Sequence, residues 1–343
     1  MSTLFISVAA ALALVFLALV ATIVIRRMLA DRRCEREHRL RPGIEDLLGD
    51  FISAASPQRP SLPADRASRE LVRMVALEEM AELQGRERER LRELLEQSGL
   101  VAETALGLGS RRVRVRRAAA EELRQVGSEA AAGSLNAGLA DRDADAALTC
   151  AAALAELPEE RFVRPVLDLA AEKAVERPGA VAAILVTLGH RHPAAIGTAL
   201  TPAMPIELRR LAAAVASELR LAEHVPLLRE GLAAADDELA ARAGRGLGRI
   251  GDDGALEALI ATVEDGERAW YVRLAATEAL GAIGDPRAVV PLERELNDEG
   301  WMLQAKAARA LNQLGAAGQD VLRRALASPA EAVREHARVA LER

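Results

Sequence analysis

The sequence predicts an all-α protein, an α-solenoid of paired helices that follows a single N-terminal transmembrane helix. Alanine, the strongest helix former, supplies 72 of the 343 residues, and only seven residues are aromatic. This composition argues against a β-sandwich, barrel or propeller. Residues 4–25 form one uncharged apolar stretch. Over the last two thirds of the chain, one apolar pattern recurs about every 31 residues.

Residues 4–25 are long enough to cross a membrane as a helix. These 22 residues carry no charged side chain and, at about 1.5 Å per residue, reach roughly 33 Å. A cleaved signal peptide is the alternative, but no Lys or Arg precedes the stretch, and the small residues 9–11 lie inside it. We therefore expect an uncleaved anchor.

The charge on either side of this stretch predicts its orientation. Residues 26–41 contain seven Arg and three acidic residues, a net charge of +4, whereas residues 1–3 carry no charged side chain. The positive-inside rule places the N-terminus outside and everything after residue 25 in the cytoplasm. Four arginines next to the membrane are expected to contact anionic headgroups. They are Arg26, Arg27, Arg32 and Arg33.

Three segments precede the repeats. The apolar residues of 44–52 predict an amphipathic helix that lies near the membrane or packs on the body. Three prolines between residues 53 and 68 disfavour a helix and stiffen the chain, so residues 26–68 are expected to be a basic juxtamembrane segment that ends in a semi-rigid spacer. Residues 69–109 have helical periodicity and form the N-terminal part of the body.

Residues 110–343 contain the repeats. An apolar marker residue recurs at intervals of 31 or 33: Val126, Leu157, Leu188, Leu219, Ile250, Ile283 and Leu314. The residues three and seven positions before each marker are apolar or small, which traces one buried stripe of a helix. The residue after the marker is mostly Gly, which ends a helix, and a second apolar stretch follows. We expect about seven helical hairpins and a C-terminal half-unit at residues 331–343.

Residues 272–288, which read VRLAATEALGAIGDPRA, resemble the HEAT repeat in the short bacterial form shared with phycobilisome lyase subunits. Residues 239–255 and 303–318 are similar but looser, and the resemblance covers roughly residues 110–343. It implies a right-handed α-solenoid of HEAT-like hairpins. HEAT solenoids are mostly scaffolds for protein partners, and a minority, the chromophore lyases, act on tetrapyrroles attached to cysteine.

Several motifs point to chemistry but lack the required context. Residues 246–251 match G-x-G-x-x-G at the end of a helix, whereas a dinucleotide site needs that motif between a strand and a helix. The acids of residues 141–145 resemble the start of an EF-hand without its Gly and Glu, and favour a helix N-terminus instead. His190 and His192 have no third ligand near them in the sequence, and Cys150 occupies the small core column. We expect no catalytic, cofactor or metal site, and no enzyme.

Three groups of side chains are candidates for contacts with other molecules. Five arginines between residues 111 and 117 form either an anionic-surface contact or a solvated face: Arg111, Arg112, Arg114, Arg116 and Arg117. Because second helices of HEAT units usually line the inner curve, four charged residues there predict a mostly acidic groove for a basic partner segment: Glu230, Glu257, Arg294 and Glu295. Trp270 and Trp301 share one repeat position and either pack at the unit junction or anchor a partner.

These features together predict a membrane-anchored, single-pass cytoplasmic scaffold that binds a protein partner, itself membrane-associated, through the solenoid surface. The alternative is a lyase-like enzyme that acts on a tetrapyrrole-bearing or otherwise modified protein. The net charge of −6 and the scarcity of aromatic residues argue against nucleic acid as a partner. No small-molecule substrate is expected.

Overall fold

The computed structural model describes residues 2–54, 60–298 and 300–342, and their side chains except those of residues 2–15, 18, 29, 30 and 33. This part of the chain contains 19 α-helices, six short 3-10 helices and no strand. It divides into two compact units, Met1–Gly107 with Gln125–Ala131, and Leu108–Arg124 with Ala132–Arg343. The predicted all-α class is confirmed.

Four helices form most of the first unit: α1 (Ser2–Ser53), α2 (Arg66–Glu82), α3 (Gly85–Gln97) and α4 (Leu100–Leu106). The C-terminal part of α1 packs on α2 and α3, and one face of it is buried through Ile44, Leu48 and Ile52. Residues 44–52 were expected either to lie near the membrane or to pack on the body, and in the structure they pack on the body.

The predicted spacer is shorter than expected at its C-terminal end. Helix α2 begins at Arg66 because the Asp65 carboxylate caps it, accepting a hydrogen bond from the Ser68 backbone N–H at 3.1 Å. Residues 60–65 have no helix or strand. Residues 55–59 of the spacer lie outside the described residues.

The transmembrane helix predicted at residues 4–25 is not confirmed. In the described part of the chain, no helix is both long and apolar enough to cross a membrane. The side chains of residues 4–15 and 18 of the predicted span lie outside that description. The described large apolar side chains between residues 16 and 28 are exposed: Phe16, Leu17, Leu19, Val20, Ile23, Val24, Ile25 and Met28.

Helices of the remaining chain come in seven consecutive pairs. The first helices are α5 (Val113–Val126), α7 (Ala144–Ala155), α9 (Pro178–Arg191), α11 (Ile206–Glu218), α13 (Asp237–Ile250), α15 (Trp270–Ile283) and α17 (Trp301–Gln313). The second helices are α6 (Ala132–Gly138), α8 (Val163–Lys173), α10 (Pro193–Leu200), α12 (Val225–Leu232), α14 (Leu256–Glu264), α16 (Val289–Leu296) and α18 (Ala316–Ala325). A single helix, α19 (Glu331–Leu341), follows them.

The predicted stripe forms the core of these pairs. All residues three and seven positions before a marker are buried. From α7 onward each first helix packs on the next, as α11, α13, α15 and α17 do in succession. The small residues in this stripe let the helices approach closely. The markers themselves are buried in four of the seven copies and half-buried in the other three.

The residue after each marker shows how the helix ends. Gly127, Gly251, Gly284 and Gly315 adopt left-handed φ values between 65° and 79°. Arg220 occupies the same column and has φ 52°, the one non-glycine residue with positive φ in the described part of the chain. In this copy the left-handed conformation forms although the column lacks glycine.

The third pair departs from the expected helix end. Helix α9 continues past Gly189 to Arg191. Its end is set by Pro193, the first residue of α10, because the residue before a proline disfavours helical geometry. His192 accordingly has φ −135° and ψ 70°.

Candidate protein-binding surface

The arginine run at residues 111–117 separates into two sets. Arg116 donates two hydrogen bonds to Asp141, at 2.6 and 2.8 Å, and Arg117 binds Asp143 through a similar fork at 2.7 and 2.6 Å. Asp143 also caps α7, since its carboxylate accepts the Ala146 backbone N–H at 3.0 Å. The Arg117 guanidinium, followed by this backbone N–H, lowers the pKa of Asp143 to about 2. These two arginines therefore tie the start of α5 to the loop after α6.

The same device recurs in later repeats. Arg210 on α11 pairs with Asp236, and Arg273 on α15 pairs with Asp298. In each case an arginine in the early part of a first helix binds a carboxylate 25 or 26 residues further along, in the loop after the second helix. The bridge therefore fixes the turn into the next repeat.

Three arginines of the run remain available. Arg111, Arg112 and Arg114 are exposed and form no ion pair with any described residue. Val113 and Val115 between them are 39% and 40% exposed. This stretch is a basic patch with an apolar component. On α1, Arg26, Arg27 and Arg32 are exposed, and the Arg33 side chain lies outside the described residues.

Charges on the second helices, or just before them, form ion pairs between consecutive repeats. The pairs are Glu257–Arg287, Glu264–Arg294 and Glu293–Arg324, with N–O distances of 3.1, 2.5 and 3.2 Å. Two residues of the expected acidic groove, Glu257 and Arg294, are therefore neutralised by neighbours. Glu230 is exposed and has no ion pair with a described residue.

Glu295, the fourth residue expected in the groove, is buried. Its side chain is 4% exposed, and its Oε1 accepts a hydrogen bond from Arg273 Nη2 at 2.6 Å. The same Nη2 donates to Asp298 Oδ2 at 2.6 Å. Burial raises the pKa of Glu295, and Arg273 opposes that shift. Glu295 was expected on the groove surface, and this expectation is wrong because its side chain points inward to α15. Sequence reasoning missed Arg273, because the repeat columns recorded only apolar and glycine positions.

Glu295 lines a pocket of about 210 Å³ in the sixth repeat. It is surrounded by residues from the end of α14, the loop before α15, α15 itself, α16 and the loop after α16. They are Val263, Glu264, Gly266, Arg273, Pro291, Arg294, Glu295 and Asp298. We call it the Glu295 pocket.

Trp270 and Trp301 are the first residues of α15 and α17. Their side chains are 56% and 64% exposed, so the rings do not fill the unit junction. Trp270 contacts Tyr271 edge to face at 5.9 Å between ring centroids, and Trp301 contacts His336 at 5.4 Å. Because α15 and α17 pack together in the same register, the two indoles lie on one edge of the repeats.

Two further apolar side chains at or next to this repeat position are exposed. Met302 follows Trp301 and is 45% exposed. We call Trp270, Trp301 and Met302 the tryptophan edge. Val175, thirteen residues before its marker like both tryptophans, is 70% exposed. An alignment of the repeats at the position 13 residues before the marker would have identified Val175 from the sequence.

The other sequence motifs have structural roles. The G-x-G-x-x-G motif lies in α13 with Gly251 as the helix cap, and Gly248 packs against Ala279 of α15. The His192 ring nitrogen Nε2 lies 2.9 Å from the Leu157 carbonyl oxygen. Burial raises the pKa of Cys150 to about 12. Within the described residues, no group of three or more His, Cys, Asp or Glu side chains could hold a metal ion.

Comparison with known families finds HEAT repeats. The HEAT-repeat family model matches residues 225–311 and, in a second register, residues 266–342. This match supports the predicted HEAT type for α12 to α19. It is a match to HEAT repeats in general and gives no support to the narrower likeness to phycobilisome lyases. No curated protein matches the chain.

Among solved structures, the chain is similar to the karyopherin Kap121p. Against Kap121p alone the identity is 14% and the TM-score 0.52, with 89% of this chain and 41% of that chain covered. Against Kap121p bound to the SUMO protease Ulp1p the values are 13% and 0.53, with 89% and 41% covered. The chain thus spans about two fifths of the length of Kap121p. At this identity the likeness shows the fold alone, an all-α solenoid.

Proposed function

We propose that this protein is a non-enzymatic scaffold that binds a partner protein through the tryptophan edge. The observation that carries the proposal is the exposure of Trp270 and Trp301, both more than half exposed, on the first helices of consecutive repeats. Covering what remains exposed of two indoles would contribute roughly 5–7 kcal/mol before the entropic cost of association. Tryptophan is also enriched among residues that dominate binding energy.

The fold supports this role. Kap121p, to which the solenoid is similar, has been solved bound to Ulp1p and to Ste12p. Stacked helix pairs give an extended surface on which a partner can lie across several repeats. Cys150 is buried in the core, and the His192 Nε2 atom lies 2.9 Å from a backbone carbonyl oxygen.

We also propose that residues 4–25 anchor the scaffold in a membrane, with the N-terminus outside and the solenoid in the cytoplasm. Successive residues of an α-helix point in directions 100° apart, so the exposed apolar side chains between Phe16 and Met28 surround α1. Such a surface is unfavourable in water and suits hydrocarbon. The exposed arginines that follow, Arg26, Arg27 and Arg32, suit anionic headgroups. The anchor would concentrate the solenoid near membrane-associated partners.

Proximity labelling tests the scaffold role. A labelling enzyme is fused to the C-terminus in the cells that produce the protein, and the parent is compared with Trp270→Ala/Trp301→Ala. We expect recurrent membrane-associated neighbours for the parent and their loss in the double variant. Arg309→Ala, an exposed change on α17, is the matched control and should keep them. A diffuse soluble-protein profile, equal in all three proteins, would contradict the proposal.

A further inference from the structure

Five consecutive exposed residues lie at the start of α5 and take no part in the proposed function. Three of them are arginines, Arg111, Arg112 and Arg114, and none of these has an ion pair with a described residue. Val113 and Val115 lie between and beside the arginines and are 39% and 40% exposed. We call these five residues the basic patch.

Two arginines that follow the basic patch hold its backbone in place. Arg116 binds Asp141 through two hydrogen bonds and donates a third, at 3.0 Å, to the Ser110 carbonyl oxygen. Arg117 binds Asp143 through two hydrogen bonds as well. The nearby carboxylates of the loop after α6 are therefore already paired with other arginines and do not neutralise the patch.

The charge around the basic patch is positive, although the chain as a whole is acidic. Residues 110–117 and 141–145 contain six arginines and three aspartates, a net charge of +3, whereas the whole chain carries −6. Arg142, one of the six, is exposed and has no ion pair with a described residue. The dipole of α5 adds positive potential, and no acidic residue lies in the first turn of this helix. The patch therefore attracts anions.

The two valines favour a lipid surface over a free anion. At a bilayer interface, guanidinium groups meet phosphate and carboxylate groups, while apolar side chains reach the acyl boundary. A free anion in water would leave Val113 and Val115 exposed. The proposed anchor at residues 4–25 would keep the solenoid near such a surface, and tethering allows a contact that is weak by itself to form.

We infer that the basic patch docks the solenoid on the anionic lipids of the membrane in which residues 4–25 are anchored. This inference rests on the proposed anchor and adds a second membrane contact, made by the solenoid itself. Each guanidinium would donate hydrogen bonds to headgroup oxygens. Docking would hold the first repeat at the bilayer surface, so that the solenoid does not sample the whole volume that the tether allows.

Full-length protein in lipid nanodiscs tests the inference. A nitrobenzoxadiazole label is attached to Val115→Cys in a Cys34→Ser background, where the buried Cys150 does not react. The discs contain phosphatidylcholine alone or an equal mixture with phosphatidylserine. We expect the emission to shift to shorter wavelength only in the mixed discs, and high salt to abolish the shift by screening exposed charges. The same label at Val290→Cys, an exposed position of α16, should emit equally in both discs.

Charge variants separate the basic patch from the total charge of the protein. Arg111→Gln/Arg112→Gln/Arg114→Gln should lower the ratio of docked to free label roughly a hundredfold, about fivefold for each arginine. The matched control replaces with glutamine three other exposed arginines that have no ion pair with a described residue: Arg245, Arg249 and Arg309. It makes the same change in net charge and should alter the ratio by no more than about twofold. Both variants should keep the melting temperature of the parent.

Four results would overturn the inference. They are equal emission in the two kinds of disc, an unchanged shift in the patch variant, an equal loss in the control variant, and an equal shift at Val290→Cys. Soluble polyglutamate is added to the phosphatidylcholine discs as a further comparison. If polyglutamate shifts the emission and phosphatidylserine does not, the patch recognises an acidic protein and the lipid assignment is wrong.

The proposed anchor has a separate outcome in the same samples. If the protein elutes with phosphatidylcholine discs in gel filtration while the label ignores phosphatidylserine, the anchor stands and the docking is refuted. If only the mixed discs retain the protein and the patch variant is released from them, the docking stands and the anchor is refuted.

Discussion

Gly248→Ala tests whether the first helices of successive repeats pack as closely as the structure shows. A Cβ built at Gly248 would lie 2.5 Å from the Ala279 Cα and 2.7 Å from its Cβ. The clash is with the backbone of α15, so no side-chain rotation relieves it. Overpacking costs about 1–3 kcal/mol, and alanine recovers about 1 kcal/mol of helix propensity over glycine. With contacts this short we expect the upper end of that range, a net loss of about 2 kcal/mol.

Urea unfolding of the full-length protein, followed by far-UV circular dichroism, measures this loss. Gly133→Ala is the matched control, because a Cβ on that glycine of α6 would meet nothing within 4 Å. There the same substitution should stabilise the protein by up to about 1 kcal/mol. If Gly248→Ala unfolds at the same urea concentration as the parent or higher, the close contact between α13 and α15 does not exist.

Arg220→Gly should stabilise the protein by about 0.5–1 kcal/mol, since relief of the strained φ outweighs the added entropy of the unfolded chain; a lower melting temperature would contradict this. Leu280→Ala, at a fully buried position, should cost about 2–5 kcal/mol in urea unfolding, and an unchanged midpoint would mean that the helix register is wrong. Asp143 has a lowered pKa of about 2, so its contribution to stability is present above about pH 4 and lost as the pH falls through 2. The stability difference between the parent and Asp143→Asn should therefore shrink over that interval, and a constant difference would refute the ion-pair role. In native protein, exposed Cys34 should react with a thiol reagent and buried Cys150 should react only after denaturation; two equally fast thiols would contradict the burial of the core column.

The repeat architecture could be predicted because its signal is redundant. The buried stripe recurs in seven copies, so a departure such as Arg220 in the glycine column does not hide the period. Each copy reports the same physical requirement, an apolar face that only the next helix can cover. The helix pairs and the solitary last helix follow from that requirement.

The surface was less predictable, because exposure and ion pairing depend on three-dimensional neighbours. The sequence left open whether Trp270 and Trp301 pack or protrude, and the structure has them exposed. Glu295 was expected in a groove and lies buried against Arg273, a partner 22 residues earlier in the chain. No local pattern records a pairing of that kind.

The segment before the repeats illustrates a different limit. Residues 44–52 had the periodicity of an amphipathic helix, which gives the buried face but not what covers it. Only the contacts of Ile44 and Leu48 with the unit formed by α2 and α3 decide between body and membrane. The helix that contains them runs without a break from Ser2 to Ser53. The composition, in contrast, changes after residue 25 from an uncharged apolar stretch to a basic segment.

Photocrosslinking at the tryptophan edge tests the scaffold claim most directly. Benzoylphenylalanine is placed at position 301 or at position 309, both exposed on α17, and the cells that produce the protein are irradiated. Our account predicts a discrete crosslinked partner from position 301, and little or none from position 309. Identical, diffuse products from the two positions would contradict a binding surface at this edge.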